Sequence, residues 1–178
     1  MKKWIGLAFA AVLLIGAVYF GSPYWAARSL KEAALAADAD KLDTSVDFPA
    51  VRESLKAQIS AAMIRKMNSD PDLKGNPFAG IGLLMMPTIV DRLVDTFVTS
   101  DGLSALIRGN KPAEGADVER TENPDIDYDY QWVSADRFRV RLSKKSTGEQ
   151  GPAFVLDRRG FVSWKLVKLE LPESLFKN

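Results

Sequence analysis

The sequence predicts an α+β fold: an N-terminal membrane helix, then three to four helices packed on a C-terminal antiparallel meander of about four strands, in a cone-like arrangement. Two patterns predict this. Apolar residues recur with helical spacing over residues 23–110, and they alternate with the two-residue period of a strand over residues 125–172. A polar connector, residues 111–124, contains two prolines and one glycine. Helices followed by a run of strands are typical of α+β domains.

The beginning of the chain predicts a membrane segment. Lys2 and Lys3 precede an uncharged run, residues 4–20, which is about 26 Å long as a helix. This length is at the short end of a membrane span and exceeds the usual apolar region of a signal peptide. We interpret residues 1–22 as a transmembrane anchor or uncleaved signal. Residues 23–178 are then an extracytoplasmic domain, because lysines favour the cytoplasmic side.

The residues that follow the apolar run argue against cleavage. A signal-peptide site has small residues one and three positions before the cut. Cuts after Gly21, Ser22, Ala26 or Ala27 would place a bulky aromatic residue at the third position. A cleaved signal peptide and a buried helix are the alternatives. We also expect a joint here, at which Ser22 caps a new helix with Pro23 in its first turn.

The first two helices of the domain are separated by an acidic break. Residues 23–37 are rich in alanine, and the break after them should carry Leu42 and Val46 inward. Asp47 is placed to cap the second helix. The basic residues of this helix are expected on a solvated outer face: Arg52, Lys56 and Lys66.

A third helix is predicted at about residues 81–98. Pro87 should kink it or mark its start. Its later part is amphipathic, with an apolar side made of Ile89, Val90, Leu93, Val94 and Phe97. A short fourth helix should be capped by Thr99 or Ser100 and end at Gly109.

Two hairpins are predicted in the C-terminal region. In the first, a three-residue loop, Ser134–Asp136, places Trp132 opposite Phe138 and Asp129 opposite Arg141. The last residue of this loop should adopt the left-handed conformation, which aspartate tolerates.

The second hairpin should turn at Asp157–Gly160, with aspartate first and glycine last. In its last strand the apolar residues Trp164 and Leu166 occupy even positions, whereas Val167 and Leu169 occupy odd positions. In a regular strand the two pairs would point to opposite faces of the sheet. Either both faces are covered there, or a bulge between Leu166 and Lys168 exchanges them.

Composition excludes several kinds of chemistry. The 178 residues contain no cysteine and no histidine, which excludes disulfides, thiolate metal sites and a Ser-His-Asp triad. The net charge is +1, so the chain lacks the excess of basic residues that is typical of nucleic-acid-binding proteins. We therefore predict no nucleic-acid partner. No phosphate loop or dinucleotide fingerprint occurs. We therefore predict no cofactor.

Several stretches resemble a bacterial family of domains of unknown function, DUF2939. They are SPYWAARSLKEAALAADADKLDTSVDFPAVRESLKAQI, FAGIGLLMMPTIVDRLVDTFVTSDGLSALIRG and the closing GFVSWKLVKLELP. The resemblance covers about residues 22–172. It implies one N-terminal membrane segment or signal, and it implies no activity and no site residue. The opening is also weakly similar, at the level of fold, to the nuclear transport factor 2-like cone, where helices pack on a curved sheet.

Aspartates are the candidates for acid–base chemistry. Asp38 and Asp40 fall in the break between helices, where turn formation is the better explanation. Asp127 and Asp129 lie on the polar face of a strand beside arginines, which favours a cross-strand role. We predict no catalytic residue and no metal-binding residue.

The candidate ligand-binding site combines aromatic residues of the sheet with the start of the third helix, which has two adjacent methionines. Aromatic and methionine side chains fill space irregularly and are typical of pockets of about 300–1,000 Å³. The inward set on the sheet is Tyr128, Tyr130, Trp132, Phe138, Val140 and Trp164. The opposing wall on the helix is Leu84, Met85, Val90 and Leu93.

These features predict a non-catalytic module anchored in a bacterial inner membrane through residues 4–20, with its domain in the periplasm or outside. It should bind a lipid or other apolar ligand, or an envelope protein. An acid–base enzyme of isomerase or hydrolase type, using Asp and Tyr, is one alternative. A structural interaction protein is the other.

Overall fold

A computed structural model of the chain describes residues 2–69, 79–107 and 125–176. The helices are α1 (Lys2–Ala36), α2 (Ala39–Ser45), α3 (Phe48–Ser69), α4 (Ala79–Phe97) and α5 (Ser100–Ile107). The strands are β1 (Ile126–Ser134), β2 (Arg137–Lys144), β3 (Gln150–Arg158) and β4 (Trp164–Glu170), and a 3₁₀ turn follows at Glu173–Phe176. The predicted α+β fold is confirmed. The connector, residues 111–124, and Gly109 lie outside the described residues.

Helix α1 runs without interruption through the predicted joint. Pro23 lies inside the helix, so the expectation that Ser22 caps a new helix there is wrong. Proline lacks the N–H that would reach the carbonyl oxygen of Tyr19, four residues earlier. Ser22 Oγ donates to that oxygen instead, at 2.8 Å. The helix continues because the freed carbonyl has a new donor. It ends at Ala36, and the next residue, Ala37, has a left-handed φ of 52°.

The predicted N-terminal caps of α3 and α5 are present. Asp47 Oδ1 accepts from the N–H three residues later at 3.2 Å, and Thr99 Oγ1 does the same at 3.1 Å. The break between α1 and α3 contains the short helix α2, which Asp38 caps at 3.0 Å. Leu42 and Val46 point inward from this region and are buried, as predicted. Aspartate and threonine at these positions therefore fix the helix starts.

The predicted outer face of α3 is only partly solvated. Lys66 is exposed. Lys56 Nζ, however, lies 3.1 Å from Asp91 Oδ1 and 3.2 Å from Asp95 Oδ1 on α4. Arg52 Nη2 donates to the backbone oxygen just after α4 at 2.9 Å. The hydrogen bond with Asp91 is the main cause that raises the pKa of Lys56. These charges hold α3 to α4, because α4 folds back alongside α3.

The strands form one antiparallel meander in the order β1-β2-β3-β4. The predicted register of the first hairpin is confirmed: Trp132 pairs with Phe138 and Asp129 pairs with Arg141. On the outer face, Arg141 Nη1 donates to the Gln150 side chain of β3 at 2.9 Å. Alternation of apolar and polar residues was sufficient to set this register.

The loop of the first hairpin differs from the prediction. Two residues, Ala135 and Asp136, form the turn, and the register shifts between Trp132 and Ser134. The extra residue is absorbed as a bulge at Val133. Among the described residues, positive φ occurs at Ala37 and Gly148 and not at Asp136. The prediction that Asp136 is left-handed is wrong, since the bulge takes up the extra residue.

The second hairpin turns two residues later than predicted. Arg158 still pairs with Trp164, and Arg159 N donates to Ser163 O at 2.9 Å. The bulge predicted near the middle of β4 is confirmed at Val167. It lets residues of opposite parity on β4 face the same core.

The helices and the inner face of the sheet share one core. Leu42, Phe138 and Leu166 are completely buried. The link between α2 and α3 also lies along β4, since Asp47 N donates to Leu166 O at 2.8 Å and Val46 forms a parallel bridge with Leu166. This link covers part of a sheet edge that would otherwise expose unpaired backbone groups.

Candidate functional site

The aromatic residues predicted to line a pocket pack on one another. The ring centroids of Trp132 and Phe138 are 5.4 Å apart, and those of Trp132 and Trp164 are 5.8 Å apart. Tyr130 stacks on Phe138 at 6.2 Å. Such distances are those of direct edge and offset contacts, so the rings fill the space between them.

Helix α1, and not α4, covers this aromatic set. The rings of Tyr24 and Phe138 are 4.7 Å apart, and those of Phe20 and Trp132 are 6.0 Å apart. The space beside Tyr128, Tyr130 and Val140 measures only about 20 Å³, much less than a ligand needs. The continuous α1 takes the position that the sequence interpretation gave to α4.

The residues predicted for the opposing wall lie elsewhere. Val90 is buried against the core, whereas Met85 is 54% exposed. Leu93 lines a different cavity, together with residues of α3 and β4. The side chain of Leu84 lies outside the described part of the chain. The structure therefore does not bring the helix group and the aromatic group together.

An apolar groove occurs instead between α3, α4, α5 and the end of β4. Its volume is about 330 Å³, which falls within the range of ligand pockets. Every residue that lines it is apolar or glycine: Val51, Leu55, Ile59, Leu93, Val94, Phe97, Val98, Gly102, Leu103, Leu106, Leu169 and Leu171. Leu93 and Phe97 form its rim and are 45% and 43% exposed. The described lining contains no titratable group.

The rim of the groove continues into an exposed apolar stripe on α4. Val90 and Val94 bury one edge of this helix against the core, at 1% and 3% exposure. The other edge, one residue per turn, is 43–54% exposed and consists of Met85, Ile89, Leu93 and Phe97. Only two of the five residues on the predicted apolar side of α4 are therefore buried in the core. Contiguous apolar surface of this kind is typical of binding sites.

A second cluster joins α1 to the sheet. Trp164 Nε1 donates to Ser22 Oγ at 2.9 Å, and this hydrogen bond is buried. Arg158 Nη2 reaches the freed Tyr19 carbonyl at 3.4 Å, and its guanidinium carbon lies 3.7 Å from the Tyr19 ring centroid and 4.2 Å from that of Trp164. The side chain of Arg158 is only 7% exposed. We call these residues, Tyr19, Ser22, Arg158 and Trp164, the junction cluster.

The junction cluster compensates the buried charge of Arg158 with several partners. Its Nη1 donates to Phe161 O at 2.6 Å, its Nη2 reaches Ala135 O at 3.4 Å, and its Nε lies 3.4 Å from Asp136. A buried guanidinium is tolerated only when it is paired and hydrogen-bonded. The cluster therefore fixes α1 against both turns at one end of the sheet.

Of the aspartates considered for acid–base chemistry, Asp38 caps a helix, and the other three are exposed. The backbone N–H of Lys41 donates to Asp38, and this bond is the main cause that lowers the pKa of Asp38. Asp40 is exposed on α2, and Asp127 and Asp129 are exposed on β1. Among the described residues, no group of three or more Asp or Glu side chains is close enough to hold a metal ion.

The apolar groove and the junction cluster could be predicted only in part from the sequence. The groove residues of α3 and α5 follow helical spacing, which marks them as apolar but does not show that a space remains between them. Arg158 was missed, since an arginine beside a turn is usually solvated. The one local signal for the junction was Ser22 followed by Pro23 in an otherwise helical pattern.

One described helix, α1, is long and apolar enough to cross a membrane, over Trp4–Ala36.

Comparison with known proteins gives one family. No curated protein matches the chain. No solved structure matches it either, so the similarity to the nuclear transport factor 2-like cone is not confirmed. The model of the family described as "Protein of unknown function (DUF2939)" matches residues 12–106, just over half of the chain. The chain therefore belongs to the DUF2939 family.

Proposed function

We propose that this protein is a single-pass membrane protein whose extracytoplasmic domain binds an acyl chain or a similar elongated apolar ligand in the groove between α3, α4, α5 and β4. The observation that supports this most directly is the composition of the groove. Its described lining is apolar throughout, and its exposed rim is formed by Leu93 and Phe97. Water in such a groove finds no hydrogen-bonding side chain, whereas an apolar ligand would displace it favourably.

The absence of titratable residues in the described lining also favours binding over catalysis. An acid–base enzyme needs a carboxylate, tyrosine or lysine within hydrogen-bond reach of its substrate. Charged residues of the two helices that form walls of the groove, Lys56 on α3 with Asp91 and Asp95 on α4, pair with one another. They therefore serve to hold the walls of the groove together.

Exposure supports the membrane anchor. The first part of α1 carries apolar side chains that no other described part of the chain covers: Trp4, Leu7, Phe9, Val12, Leu13 and Leu14 are 58–77% exposed. A helix from the core of a soluble protein would bury such residues. The junction cluster further opposes cleavage after Gly21 or Ser22, since either cut would remove Tyr19, whose carbonyl and ring both contact Arg158.

The positions of Lys2 and Lys3 support one orientation of α1 in the membrane. Lys2 and Lys3 favour the cytoplasmic side, so the domain after the span would lie in the periplasm or outside a bacterial inner membrane. In that position the groove would be open to lipids and to envelope proteins. We favour an acyl chain over an envelope protein because the residues described in the groove lining offer no polar side chain to a protein backbone.

A photoreactive fatty acid tests the proposal. The full chain is placed in lipid vesicles with a long-chain fatty acid that carries a diazirine, and the labelled peptides are identified by mass spectrometry. We expect label on peptides of α3, α4 and α5 in addition to α1, which contacts the bilayer and serves as the internal control. Leu93→Asp should reduce the label in the groove at least about tenfold, because a carboxylate at the rim is costly to desolvate beside an acyl chain.

The control variant for this experiment is Ile89→Asp. Ile89 lies one turn earlier on the same exposed stripe, is 53% exposed, and does not line the groove. It should keep the groove label near the level of the unmodified chain. Label confined to α1, or equal loss in both variants, would contradict the proposal.

A further inference from the structure

We propose that the turn between β3 and β4, residues 159–163, is a second membrane contact that inserts Phe161 and Val162 into the outer surface of the bilayer beside α1. The turn is polar except at these two residues, which are 57% and 48% exposed. Single exposed apolar residues are common and carry no conclusion by themselves. The position of this pair relative to α1 is what distinguishes it.

The turn is held against the end of the apolar run of α1. The ring centroids of Phe161 and Tyr19 are 5.4 Å apart. Val162 borders a concave surface of α1 that also includes Leu14, Val18 and Trp25. This surface is apolar apart from two serines of α1, and it is open to the outside. Lipid acyl chains are the natural occupants of such a surface if α1 spans a bilayer.

The level of Tyr19 along α1 places the turn at the membrane boundary. A helix rises about 1.5 Å per residue, and the hydrocarbon core is about 30 Å thick, so a span that starts at Trp4 reaches the far boundary only near Tyr24. Tyr19 lies about five residues before that point. Any tilt of α1 would move the boundary farther along the chain. Phe161, which contacts Tyr19, therefore lies at or below the boundary.

The junction cluster keeps the turn at this level. Arg158 Nη1 donates to the backbone oxygen of Phe161 at 2.6 Å, and the same guanidinium packs on the Tyr19 ring at 3.7 Å. Arg159, the first residue of the turn, lies 3.1 Å from Asp47. The turn is thus tied both to α1 and to the start of α3. Aromatic residues at this depth are favoured, since their rings suit the interface between headgroups and hydrocarbon.

This inference rests on the span in the proposed function and is independent of the groove. It predicts a domain that lies directly on the bilayer with a fixed orientation. The other end of the sheet should be in water, because strands of eight or nine residues are about 27 Å long. That end carries the polar turn between β2 and β3, which includes Thr147.

Spin labelling tests the inference directly, because the chain contains no cysteine and a single one can be introduced at any position. The full chain in lipid vesicles is labelled at Val162→Cys, Leu13→Cys or Thr147→Cys. Collision of each nitroxide with oxygen, which concentrates in hydrocarbon, is compared with collision with a water-soluble nickel complex. We expect the ratio of oxygen collisions to nickel collisions to be at least about tenfold higher for the labels at Val162 and Leu13 than for the label at Thr147.

Each outcome separates the two proposals. A water-accessible label at Val162 together with a buried label at Leu13 would overturn the inference and leave the span intact. A water-accessible label at Leu13 would overturn both the inference and the anchor in the proposed function. Phe161→Cys provides a second label in the same turn, and it should give the same depth if the fold is retained.

Discussion

Replacing Trp164 with alanine is expected to lower the free energy of unfolding by about 3–5 kcal/mol, the usual cost of removing a large buried aromatic side chain. Trp164 is 6% exposed and contacts the rings of Trp132 and Phe138. Its removal also deprives the buried guanidinium of Arg158 of an aromatic face 4.2 Å away. The loss therefore combines a cavity with a less compensated charge.

The measurement is denaturant unfolding of the full chain in detergent micelles, followed by circular dichroism. Trp164→Phe should cost less than Trp164→Ala, because phenylalanine still fills much of the space with an aromatic ring. Its remaining cost comes chiefly from the loss of the N–H that donates to Ser22 Oγ. Trp25→Ala is the matched control, since Trp25 is 78% exposed and should change stability by less than about 0.5 kcal/mol. Equal stability of Trp164→Ala and Trp25→Ala would refute the junction cluster as a structural element.

Two charges in the apolar run of α1 are expected to abolish membrane integration. Leu13→Arg combined with Gly16→Arg places each guanidinium near the middle of the span, where each costs about 2.5–3.5 kcal/mol for insertion. Both positions suit this test because the folded domain does not use them. Leu13 is 58% exposed, and a side chain at Gly16 would meet no atom of the other described residues within 4 Å.

Extraction of membranes with alkaline carbonate measures the effect. The double variant should leave the membrane pellet, whereas Trp25→Arg should stay in it, because Trp25 is near the end of the span, where an arginine can reach the headgroups. Retention of the double variant in the pellet would show that some other part of the chain holds the protein to the membrane.

Local patterns in the sequence predicted much of the fold. Alternation over β1 and β2 set the register, which pairs Trp132 with Phe138. The change of parity in β4 predicted the bulge now found at Val167. The caps at Asp47 and Thr99 also followed from residue type and position alone. Each of these features depends on neighbours within a few residues or on one adjacent strand.

Contacts between distant elements were not predictable in the same way. Ser22 and Pro23 are a good local signal for a helix start, yet α1 continues because Ser22 and Arg158 both reach the Tyr19 carbonyl that proline frees. Arg158 is far from this position in the chain. The local preference is therefore overridden by a tertiary contact that helical spacing does not encode.

The candidate site shows the same limit. Met85 and Trp132 are both suited to a pocket wall, but residue type does not determine which helix covers which part of a sheet. In the structure, α1 lies over the aromatic set and α4 folds onto α3. The groove that remains is bordered by Leu93, which was predicted for the wall of a different pocket, and by Leu103 and Leu169, which were not predicted as site residues.

The most direct test of a permanently anchored, exported domain is the intact mass of the protein in bacterial membranes, measured with a C-terminal reporter that is active only outside the cytoplasm. We expect an active reporter, and a membrane-bound protein whose mass includes residues 4–20. A soluble form that begins between Gly21 and Arg28 would contradict the account, because it would separate Tyr19 from the junction cluster and remove the span.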